Sequence, residues 1–223
     1  MRVVLYTLIG IPLLIADGVL VYTLPGRLAQ RFTLFEGFFL LGGTLAYLAV
    51  HFLLRRPERL YLWGHELTHL IVAKVFFREV HGFHITSRSG GKVVIDRTNV
   101  AIDLAPYAVP FYCFATVALA ALFQGQHRVA REAYLSVVAF FFAMHLSFSV
   151  EGFLHGQPDL RRSGRLFSGA AVLLFLLLWL PLLGAPGTKE GFRGLPVFYK
   201  EWLRGGLTAA RQLLALTGIR LSI

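Results

Sequence analysis

Cysteine is nearly absent: Cys113 is the single one among 223 residues, which excludes any intrachain disulfide and leaves the redox compartment unread. It stands in an apolar run, as a packing residue does. Acidic side chains are scarce as well, 12 against 22 lysines and arginines, for a net charge of +10. Such an excess can serve nucleic acid, but no compact basic stripe is present. The cations fall between apolar runs and in the tail, where lipid headgroups are the fitting partner and nucleic acid is not. No internal repeat and no low-complexity tract is evident. Nor does a small-x-small cleavage site follow the first apolar stretch. That stretch exceeds the apolar region of roughly 7 to 15 residues that a signal peptide uses and is read as a spanning helix.

What the chain has in abundance is apolar surface. Hydrophobic residues make up 56% and the mean hydropathy is +0.64, gathered into runs that meet or approach the roughly 18 residues needed to cross a bilayer. Six membrane segments are predicted, at residues 3–24, 33–54, 60–77, 100–124, 134–150 and 167–184. Between the third and fourth, β-branched and aromatic residues flank a Ser89-Gly90-Gly91 turn signal, which predicts a hairpin. The fold class is therefore an α-helical polytopic membrane protein, with about six membrane segments and a membrane-proximal β hairpin. Such a chain is an integral, multi-pass protein whose first partner is the lipid bilayer. Residues 1–184 form the membrane domain, and residues 185–223 a Gly- and Pro-rich linker followed by a basic amphipathic tail suited to the membrane surface. Pro106 and Pro110, at the start of the fourth segment, predict a kinked or unwound helix.

The third segment is weak by hydropathy because it carries His65, Glu66, His69 and Lys74. Ionisable groups at such depth are costly and normally face a protein interior or a watery cavity, so chemistry is sought there. The segment contains an H-E-x-x-H motif at residues 65–69. Four residues apart on a helix, the two imidazoles project from one face, one turn apart, as a chelating pair for zinc. Glu66 sits beside the first histidine, where its carboxylate can reach a water on the metal without being a ligand; that is the place of a general base. Two histidines leave such a site one protein ligand short. The candidates are Asp159, Glu151, His155 and Asp103. Asp159 is preferred: it follows Pro158 just ahead of the sixth segment, where a helix start can dip toward the membrane and aim its carboxylate inward. Glu151, one helical turn before His155, is the runner-up. The plain alternative for Asp159 is a helix cap or a partner for Arg161 or Arg162.

The GHELTH stretch, the hairpin, the NVAIDLAPYAVP stretch at residues 99–110 and the later QPDL resemble the site-2-protease-type membrane zinc metallopeptidases, the M50 family. The resemblance covers roughly residues 60–170 and is to a compact variant. No PDZ-like domain is seen, and Leu160 stands where the family's second motif carries glycine. It implies that His65, His69 and Asp159 bind Zn2+ and that Glu66 is the catalytic carboxylate acting on zinc-bound water. It further implies a zinc metalloendopeptidase of the HExxH type performing intramembrane proteolysis on a membrane protein or peptide substrate, in the cell membrane with the site nearer the cytoplasmic face. The alternative reading of the same residues is a zinc-binding membrane protein without proteolytic activity, a metal carrier or scaffold, which keeps the histidines and has no need of Glu66.

Overall fold

The computed structural model describes residues 2–86, 90–122 and 128–216; Ser89 of the hairpin turn lies outside them. The first apolar run forms α1 (Arg2–Ala29). A capping box then opens α2 (Leu34–Leu53): the Thr33 hydroxyl accepts the Glu36 N–H at 3.2 Å, and the Glu36 carboxylate accepts the Thr33 N–H at 2.8 Å. Next come α3 (Glu58–Val75) and the antiparallel pair β1 (Val80–Thr86) and β2 (Gly90–Ile95), in register from Gly82↔Val94 to Thr86↔Gly90 with an irregularity between Val80 and Gly82. After them run α4 (Val100–Ala108), α5 (Phe111–Leu122), α6 (Arg128–His155), the single-turn α7 (Pro158–Arg162) and α8 (Arg165–Gly184). Two 3-10 turns, Ala185–Gly187 and Gly191–Gly194, lead into α9 (Leu195–Leu216).

Among the described residues four helices are long and apolar enough to cross a membrane: Val4–Ala29, Leu34–Leu53, Ala130–His155 and Arg165–Gly187. The pair α4 and α5 meets the same test together but is bent by 68°, so the number rises to five only if that broken pair is one span. The chain is thus a helical polytopic membrane protein with a β hairpin, and the expectation of six membrane segments is corrected. The third expected segment drops out because α3 carries Glu58, Arg59, Glu66 and Lys74 in 18 residues, a load of charge that a lipid-crossing helix does not bear. The fourth is broken at Pro110, whose ring removes a backbone donor and clashes with the preceding turn. The fifth, expected to be short, is in fact one of the longest helices, because polar residues at both ends of α6 hide its length from hydropathy alone.

Helix pairs bury the core. On one side Cys113, Tyr134, Leu135, Val138 and Leu183 pack together between α5, α6 and α8. On the other, Leu20 and Leu24 of α1 meet Leu177 of α8 and Phe198 and Trp202 of α9. The last helix folds back on the first: the Trp202 indole donates to the Thr23 hydroxyl at 3.1 Å, Arg27 pairs with Glu201 at 3.1 Å, and the Arg31 guanidinium lies 5.3 Å from the Phe198 ring centre.

Candidate metal centre

α3 turns its polar side inward, burying Gly64, Glu66, Thr68, His69 and Ala73. The Thr68 hydroxyl donates to the Gly64 carbonyl at 2.7 Å, satisfying itself within the helix. The imidazoles of His65 and His69 lie with ring centres 5.1 Å apart, as one-turn spacing requires.

The partner of this pair arrives on α7. Gly156 ends α6 at φ +65° and Gly164 follows α7 at φ +84°, both left-handed conformations that a side chain adopts only with strain. Pro158 opens α7 at a position where no backbone donor is needed. These two sharp turns bring Asp159 to the histidines: its Oδ2 is 3.4 Å from His69 Nε2. One ligand atom from each of His65, His69 and Asp159 lies within 4.8 Å of the others, forming a cluster able to coordinate a divalent metal. Two imidazoles and a carboxylate are a donor set that zinc accepts. The cluster sits in an open cleft of about 920 Å³, walled by α3, β2, α4, the end of α6 and α7.

A second layer of contacts orients these groups. His69 Nδ1–H donates to the Ile102 carbonyl of α4 at 2.9 Å, which fixes the ring with Nε2 toward Asp159. The Tyr61 hydroxyl lies 3.3 Å from His65 Nδ1, and burial pushes that phenol up to about 12, so it stays protonated. Arg162 reaches both Asp103, at 2.9 Å, and Asp159, at 3.7 Å, and Asp103 also accepts from Thr98. Burial opposes ionisation of Asp159, yet the hydrogen bond and charge of His69, with Arg162 beyond, outweigh it and hold the carboxyl below its ordinary value.

Burial, helped by the neighbouring His69, pushes His65 down from 6.5 to about 3. A histidine with a depressed folded value leaves the unfolded chain binding the extra proton. Its contribution to stability is therefore full above about pH 6.5 and is lost as pH falls toward 3. Thermal scans of chelator-treated protein should show a lower midpoint at pH 5 than at pH 7.5, and a smaller difference in His65→Gln. Equal differences in the two proteins would contradict a buried neutral His65.

The other sequence candidates lie elsewhere in the cleft. Glu66 is not part of the cluster. Its side chain runs under β2, where burial pushes the carboxyl up while the Val93 N–H donates to it. Gly91 makes room for this, since a Cβ there would come within 2.7 Å of Glu66 Oε1. Glu151 is held by Arg56 in an ion pair, and the His155 Nδ1 is 2.8 Å from the Glu151 carbonyl. Asp103 is engaged with Thr98 and Arg162, and Asn99 caps α4 by accepting the Ile102 N–H at 2.9 Å. Tyr61 went unnoticed in the sequence although it stands one helical turn before His65, a spacing that was there to be used. The Ile102 carbonyl has no sequence signal at all.

Comparison with protein-family models, curated proteins and solved structures finds no match for this chain. The position of the cluster then decides against the family suggested by the motif. His65 and His69 lie on α3, which is not among the candidate spans, whereas a site-2-type peptidase holds its histidine pair within a span. The M50 resemblance is corrected on that ground, and so are the readings drawn from it: intramembrane proteolysis, zinc metalloendopeptidase activity, and the use of Glu66 to activate water on the metal for cleavage of a membrane protein or peptide substrate. The H-E-x-x-H spacing remains as a way of pairing two imidazoles, which any helical metal site can use.

Proposed function

We propose that this chain is a multi-pass membrane protein that binds zinc through His65, His69 and Asp159 without proteolytic activity, as a metal carrier or scaffold. The observation that carries the reading is the convergence of three ligand atoms within 4.8 Å at an open cleft. Structural zinc sites are closed by four protein ligands. Three ligands facing open space let an ion exchange, which supports a carrier over a scaffold. Charge supports it too: Glu66, Asp96, Asp103, Glu151 and Asp159 line the cleft against Lys92 and Arg162, a surplus of negative charge that draws cations inward. Zinc, when bound, supplies a cationic centre; the chain's own part is to orient His69 through Ile102 and to steady Asp159 through Arg162. Residues 1–184 constitute this metal-binding membrane domain, and in the segment that follows α9 braces α1 through Trp202 and Glu201.

Metal analysis of the purified protein in detergent tests this. Wild type should carry stoichiometric zinc, Asp159→Ala should lose it, and Glu66→Gln should keep it. Unchanged zinc affinity in Asp159→Ala, in a variant that remains monodisperse, would overturn the assignment.

A further inference from the structure

Near the middle of the first span, Val4–Ala29, stands a carboxylic acid that the metal cleft does not use. Asp17 is 1% exposed, and neither of its oxygens has a hydrogen-bond partner among the described residues. Among the described residues nothing is placed to neutralise it. It is the only charged residue of α1 between Arg2 and Arg27. α8, packed along α1, has no charged residue after Arg165. α9 brings Lys200, Glu201, Arg204 and Arg211, but Glu201 is taken by Arg27 and no ion pair to Asp17 is formed among the described residues. Tyr6 of the same helix faces Phe167 instead, at 5.0 Å between ring centres, and Tyr22 is exposed.

An ionised carboxylate needs water, a cation or hydrogen-bond donors, and in hydrocarbon without any of these its charged form is heavily penalised. The neutral acid is the form this pocket can hold. We propose that Asp17 is a proton-binding site within the bilayer, its carboxyl carried in the protonated form at neutral pH and therefore open to modification by an apolar carbodiimide. In that reaction the acid proton passes to one carbodiimide nitrogen as the carboxyl oxygen bonds to the central carbon. The acyl group then shifts from oxygen to nitrogen to give a stable N-acylurea. No atom leaves, so the α1 peptide gains the full mass of one reagent molecule.

Infrared spectroscopy of the whole protein in liposomes tests the protonation directly. At pH 7 wild type should show the carbonyl stretch of a protonated carboxyl, shifted in D2O, bleaching as the pH is raised, and missing from Asp17→Asn. Labelling with dicyclohexylcarbodiimide at pH 7, read by mass spectrometry of the α1 peptide, should exceed the Asp17→Asn background by about fivefold or more, because desolvation favours the reactive neutral form. The pH titration needs only wild type, so it holds even if the variant folds poorly. Absence of the protonated-carboxyl band at pH 7, with a carboxylate band in its place, overturns the proposal. The zinc content of Asp17→Asn should equal that of wild type, which separates this site from the cleft.

Discussion

His69→Ala should weaken zinc binding by more than a hundredfold. Zinc in structural peptide sites contributes about 10 to 16 kcal/mol over four ligands, or roughly 3 kcal/mol each, which is about a hundredfold in affinity. His69 does more than donate. Its Nδ1–H anchors the ring to the Ile102 carbonyl at 2.9 Å, and its Nε2 faces Asp159 at 3.4 Å, so its removal also leaves a buried carbonyl unpaired and Asp159 without its nearest partner. Alanine suits a helix interior, so α3 itself should persist. Competition against a chromophoric chelator would measure the loss. An affinity within threefold of wild type would mean that the cluster does not hold the ion.

A second large effect is expected far from the site, where α2 and α6 cross. A Cβ at Gly43 would collide with the carbonyl oxygen of Ser136 and come within 2.8 Å of its carbon and 2.9 Å of its Cα. All three are backbone atoms, so no side-chain rotation relieves the clash. Close approach over small residues is how helices associate in lipid, where apolar contact alone gives little preference for protein over lipid tails. Gly43→Leu should therefore part the two helices at a cost of about 3 kcal/mol, lowering the thermal midpoint by about 6 to 12 °C for a chain of this size. The adjacent Gly42 is the control, because a Cβ there meets nothing within 4 Å. Gly42→Leu should leave the midpoint within a few degrees of wild type, and equal losses in the two variants would refute the close-packed crossing.

Much of the architecture was legible because bilayer thickness imposes a length on apolar runs. The runs at the head of the chain and after Arg165 became helices long enough to span, and Pro110 breaks the fourth segment much as a ring without a donor must. Hydropathy misjudged α6, whose polar ends belong to one continuous helix, and it admitted α3, whose apolar residues hid a buried polar face. The same helix misled the functional reading. Its H-E-x-x-H spacing describes how two imidazoles share a face, but not where in the protein that face lies.

The sequence alone determined the features that follow from covalent geometry over a few residues: the pairing of His65 with His69, the hairpin, the kink, and the abundance of lipid-compatible helix. Tertiary structure decided the rest, because those outcomes depend on packing between distant segments. Two left-handed glycines carry Asp159 to the histidines across some ninety residues of chain, Arg56 takes Glu151 away from them, and packing against α1 buries Asp17. A helical period is a local property of the backbone. Which charge meets which, and at what depth, is settled only when the helices have chosen their neighbours.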